Sequence, residues 1–177
     1  MTLGVILFKS IGAGYTALNM AGRNPGLEIL EFSPLGDSAQ LLIQGDLKLV
    51  SSFIVELRTG DIERSVCLPN FDEKVLRSYL SLENAKLQDF VLVVESHFSG
   101  DLFIAASELK ALGMETVDFR LFRSQGSPCF LSMTGKNLAK VQDWVDAQRS
   151  KVTAHPLEIN LLCELSPGFR QFVDFDS

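Results

Sequence analysis

The chain of 177 residues is 46% hydrophobic and 21% charged, which supplies a core, argues against a disordered chain and suits one domain or two small ones. Its net charge of −6, with no cluster of Lys and Arg, argues against a nucleic-acid binder, which must neutralise phosphates. No apolar run reaches bilayer-spanning length, the N-terminus lacks the pattern of a secretory signal, and Cys67, Cys129 and Cys163 are spaced like reduced thiols, so a cytosolic chain is expected.

Gly4 to Phe8 is continuously apolar, the pattern of a central strand buried on both faces. A helix from Gly12 to Arg23 follows. Its small residues Ala13, Gly14, Ala17, Ala21 and Gly22 permit close approach to a neighbour, a reason for glycines that otherwise weaken a helix. Asn24-Pro25-Gly26 ends it, because proline cannot continue the ladder. Leu27 to Phe32 and Gln40 to Gln44 are expected as a hairpin across a turn from Ser33 to Ser38. Asp46 stands at the expected N-cap of a second helix with the apolar stripe Leu47, Val50, Phe53, Ile54 and Leu57. Ile62 to Leu68 reads as an edge strand closed by Pro69, and Asp72 to Leu80 as a short helix.

The same order then returns. Leu92 to Val94 is a strand, Gly100 to Lys110 a helix, Met114 to Phe119 and Phe130 to Met133 a hairpin around Gly126. Leu138, Val141, Trp144 and Val145 stripe another helix, Leu157 to Leu165 is a last strand, and Ser166-Pro167-Gly168 matches Leu68-Pro69-Asn70. Arg23 to Lys110 and Phe32 to Phe119 are offset by 87 positions, Leu41 to Leu131 and Gly45 to Gly135 by 90. The second copy thus carries three extra residues, all in one turn, which is where a duplicated fold tolerates insertion. Two domains are expected, 1–82 and 89–177, joined by a linker at 83–88.

Catalytic motifs are lacking. His97 and His155 have no metal-ligand spacing. Ile11-Gly12-Ala13-Gly14 has neither the third glycine of a dinucleotide loop nor a Gly-Lys-Ser element. Asp37 has no accompanying acid or nucleophile, and Glu28, Glu31, Glu115 and Asp118 are expected on alternating strand positions of solvated faces. No enzyme activity and no cofactor are expected.

The strand Leu3 to Ile11 with its Leu-Gly start and Lys9, the helix Ala17 to Arg23, the strand Leu27 to Phe32, the glycine turn, Ile43-Gln44-Gly45-Asp46 and the tail Ser65 to Asn70 together resemble a bacterial microcompartment shell domain. The resemblance recurs in the second half, although Lys136 replaces Asp46 there, Glu95 interrupts the strand, and neither tail keeps the family's arginine after the proline. It implies an α+β fold of two tandem copies of a ferredoxin-like-related microcompartment domain, each a β-sheet flanked by helices.

It further implies a homotrimer imitating a hexameric disc, tiled with other shell proteins in the bacterial cytoplasm and pierced by a pore for small polar metabolites, with no nucleic-acid or membrane partner. The family's pore turn falls on Leu35, Gly36, Asp37 and Ser38 and on Arg123, Ser124, Gln125, Gly126 and Ser127, and its shell-edge lysine on Arg23 and Lys110. Some tandem shell proteins hold an iron–sulfur cluster near such a turn, which makes Cys129 a candidate ligand. The plainer reading of Cys129 is a small buried thiol at a strand start. The competing class is a duplicated ferredoxin-like sensor of a small metabolite, since fold does not fix function.

Overall fold

A computed structural model of the chain describes residues 1–57, 59–80, 85–120 and 128–173, the last three by backbone only. The fold is α+β and forms two compact units, one of residues 1–72 and one beginning at Glu73.

In the first unit, β1 (Thr2–Phe8), α1 (Ile11–Gly22), β2 (Glu28–Leu35), β3 (Ser38–Gly45), α2 (Leu47–Glu56) and β4 (Ile62–Leu68) follow in chain order. The strands form one antiparallel sheet in the order β2-β3-β1-β4. Every residue of β1 is buried, as its unbroken apolar run requires of an inner strand. Ile6, Phe8, Leu41 and Ile43 meet Ala17 and Ala21 of α1 and Val50 and Phe53 of α2 in the core. Each large side chain removed from water there contributes about 1.5–3 kcal/mol. Gly14 sets how closely α1 lies on the sheet. A Cβ at that position would stand 2.5 Å from the Ala39 Cβ and 3.0 Å from the Phe32 ring.

The second unit holds α3 (Glu73–Tyr79), β5 (Phe90–Ser96), α4 (Ser99–Ala111), β6 (Glu115–Arg120), β7 (Cys129–Gly135), α5 (Leu138–Arg149), β8 (Glu158–Leu162) and α6 (Pro167–Val173). Its sheet has the matching order β6-β7-β5-β8. The registers match as well. Thr2 faces Gly45 and Phe8 faces Ala39, while Phe90 faces Gly135 and Ser96 faces Cys129.

Several expectations are corrected. The helix at 73–79, assigned from sequence to the first domain, packs on β6 and α4, because Tyr79 stacks on Phe103 and Phe119. Among the described residues, the first compact unit comprises 1–72 and the helix belongs to the second. The described part of the expected linker is tied to the second sheet. Ala85 N donates to Thr116 O and Gln88 N to Thr134 Oγ1, both at 2.8 Å. The hairpin strands also run on to Leu35 and Ser38, leaving a turn of only Gly36 and Asp37. The last strand is shorter than expected, and Pro167 opens a helix, a position where its missing N–H costs nothing.

Candidate functional site

The β2–β3 turn is tight because glycine occupies the position that demands it. Gly36 has φ 66°, as the first central residue of a type II′-like hairpin turn does. Leu35 pairs with Ser38, and the Ser38 hydroxyl donates to the Leu35 carbonyl at 2.9 Å. Gly36 and Asp37 are left exposed at the tip, with Leu35 and Ser38 half-buried beneath them. The turn thus offers a carboxylate on a short, hydrogen-bonded support. Arg123, Ser124, Gln125, Gly126 and Ser127, the expected second turn, lie outside the described residues.

Arg23 and Lys110 both stand at the end of the first helix of their copy, but in different surroundings. Arg23 is the exposed C-cap of α1, beside Asn24, Pro25 and Glu56. Lys110 lies in the last turn of α4, half-buried, and lines a depression of about 190 Å³ with Lys74, Ser78 and Glu115. A cation complements the carbonyl end of a helix in both places.

Cys129 opens β7 and is 4% exposed, paired in register with Ser96. Among the described residues, no three His, Cys, Asp or Glu side chains form a group able to hold a metal ion. His97 and His155 are exposed. Gly12 and Gly14 belong to α1 itself and not to a loop.

The four strand carboxylates are engaged locally. Glu28 accepts from Gln44 and Glu31 from Ser33, Glu115 accepts from Gln88 at 2.5 Å, and Asp118 pairs with Arg120 at 2.8 Å. They do not stand on simple alternating positions, since Glu28 and Glu31 are three apart yet face Gln44 and Leu42 on one side of β3. An extra residue, Leu30, lies between them as a bulge, and Val117 does the same between Thr116 and Asp118.

Sequence reasoning missed the cap of α5. The Asn137 side chain accepts from Lys140 N, whereas Asp46, at the expected cap of α2, makes no side-chain cap bond. The signal was present, since asparagine ranks with aspartate at this position.

No family model and no curated protein matches the chain. Among solved structures, its fold is similar to that of a microcompartments protein from Desulfitobacterium hafniense DCB, with a TM-score of 0.77 and 19% identity. The match covers 96% of this chain and 98% of that one. Among the described residues, no helix is long and apolar enough to cross a membrane.

Proposed function

We propose that the chain is a structural, non-enzymatic shell protein of a bacterial microcompartment, working in the bacterial cytoplasm. Three copies form a ring of six similar domains that tiles with other shell proteins. Leu35 to Ser38 and residues 123–127 line its central pore, Arg23 and Lys110 lie at the tile edge, and small polar metabolites pass through. The observation that carries this reading is the internal repeat, two sheets alike in strand order, register and bulge, in a fold shared end to end with a microcompartments protein. A threefold ring of such chains closes with each domain meeting a similar neighbour.

The test is assembly. Light scattering at micromolar concentration should give the mass of three chains, and electron microscopy should show flat sheets with hexagonal spacing. A dimer or tetramer that binds a small metabolite would overturn the proposal in favour of a sensor.

A further inference from the structure

The two copies share one aromatic pair but not its cover. In the second unit, Phe103 of α4 and Phe119 of β6 lie with ring centroids 4.7 Å apart, inclined at 51°. Tyr79 of α3 closes over both, at 5.1 Å and 5.0 Å. All three rings are buried. Their counterparts in the first unit are Tyr15 of α1 and Phe32 of β2, offset by 88 and 87 positions, with centroids 4.9 Å apart and inclined at 52°. The pair is thus repeated nearly unchanged, yet Tyr15 is 55% exposed.

The surroundings change in the same sense. Gly12 is exposed where α4 has buried Gly100, and Ile29 is exposed where β6 has buried Thr116. A Cβ on Gly12 would meet nothing within 4 Å. Gly12, Tyr15 and Ile29 therefore leave open a surface whose twin in the second unit is closed by a helix.

The closing helix has a definite place in the repeat. It is α3, the helix after the last strand of the first copy, and the helix in that place in the second copy is α6, also of seven residues. Helix α6 rests on its own sheet, where Leu165 and Phe169 pack against Leu87, Val91 and Val117, and Arg170 donates to the Gln88 carbonyl at 2.8 Å. We propose that the Tyr15–Phe32 face is the docking surface for a second copy of this chain, whose α6 exchanges its packing on its own sheet for this face and lies there as α3 lies on Phe103 and Phe119. The inference rests on the trimeric reading above and adds the contact that closes the ring, each chain giving one α6 and receiving another.

Tyr15→Glu places a charge on this exposed ring position, and Tyr15→Phe keeps the ring. Light scattering with circular dichroism should find wild type and Tyr15→Phe trimeric and Tyr15→Glu monomeric with unchanged helix content. A Tyr15→Glu protein that stays trimeric overturns the docking surface and leaves the trimer standing. A wild-type dimer that Tyr15→Glu dissociates sustains the surface and overturns the trimer, and a wild-type monomer overturns both. A second measurement does not depend on how the charged variant folds. With p-benzoylphenylalanine at position 15 and a mixture of light and heavy-isotope chains, irradiation should join position 15 to the α6 peptide of a different chain. Cross-links to any other segment would overturn the role of α6.

Discussion

Leu30 of β2 and Val117 of β6 are each the extra residue of a β-bulge, 87 positions apart in the chain. Each bulge shifts its strand by one residue against its partner. Ile29 and Phe32 consequently face Ile43 and Leu41 on the helix-covered side of the sheet, although they are three apart, and Thr116 and Phe119 repeat the arrangement opposite Met133 and Leu131. A bulge is a specific local feature, so its recurrence at one place supports duplication more strongly than the few shared residues do.

Gly14 should be intolerant of any side chain. Gly14→Ala sets a methyl 2.5 Å from the Ala39 Cβ, and urea unfolding should show a loss of about 1–3 kcal/mol, as overpacking does. Gly22→Ala, with only the Ile29 Cδ1 at 4.0 Å, should be neutral or stabilising by up to about 1 kcal/mol through helix propensity. Equal effects at the two positions would contradict the close approach of α1 to its sheet.

Thr134 fastens the entry to the second sheet. It is fully buried, and its hydroxyl donates to the Phe90 carbonyl at 2.7 Å while accepting from Gln88 N at 2.8 Å. Thr134→Val keeps the shape and removes both bonds, leaving a backbone N–H and a carbonyl without this partner. A loss of about 1–3 kcal/mol is expected in chemical denaturation, with Thr134→Ser retaining much of the stability.

These contacts show where sequence reasoning reached its limit. Most strands and helices were legible because their apolar periods are clear, α6 being the exception, and the first turn was expected around Gly36. Its length was misjudged because Pro34 reads as a turn residue, whereas β2 is an edge strand whose outward N–H groups need no partner. The bulges were overlooked although they leave a mark, since Ile29-Leu30 between Glu28 and Glu31, and Thr116-Val117 between Glu115 and Asp118, break the period-two alternation of a strand. The allegiance of α3 was hidden for another reason. Tyr79 chooses its neighbours by stacking on residues well downstream in the chain, which periodicity does not encode.

The helix caps offer a direct comparison. Asn137→Ala should cost about 1 kcal/mol, because the side chain that accepts from Lys140 N is lost. Asp46→Asn should cost less, only the charge near the helix N-terminus, about 0.3–1 kcal/mol and falling with salt. Thermal melts at low and high ionic strength separate the two, and a salt-independent loss at Asp46 would refute the assignment.

Replacing Arg23 and Lys110 together with Ala should leave each unit folded. Arg23 is exposed, so its loss costs dipole complementation of about 0.3–1 kcal/mol, whereas the half-buried Lys110 also gives up its surroundings beside Lys74, Ser78 and Glu115. If both side chains reach neighbouring tiles, the variant should remain trimeric by light scattering while losing flat sheets in electron microscopy. Sheets of unchanged extent would remove these residues from the edge.

The turn at Asp37 permits a test of the pore that is separate from stability. Gly36→Val should cost about 1–2 kcal/mol, because a residue with a Cβ is strained at φ 66°. Asp37 is exposed on the tip, so Asp37→Lys should cost less folding stability than Gly36→Val. If three such turns meet at one axis, that substitution exchanges three carboxylates for three ammonium groups around the opening. Passage of an anionic solute through assembled sheets or shells should then rise relative to a cationic one, and the difference should shrink as salt screens the charges within about 10 Å at 0.1 M. Paired flux measurements at low and high salt read this out. A ratio of anion to cation passage that Asp37→Lys leaves unchanged would place the turn away from the pore.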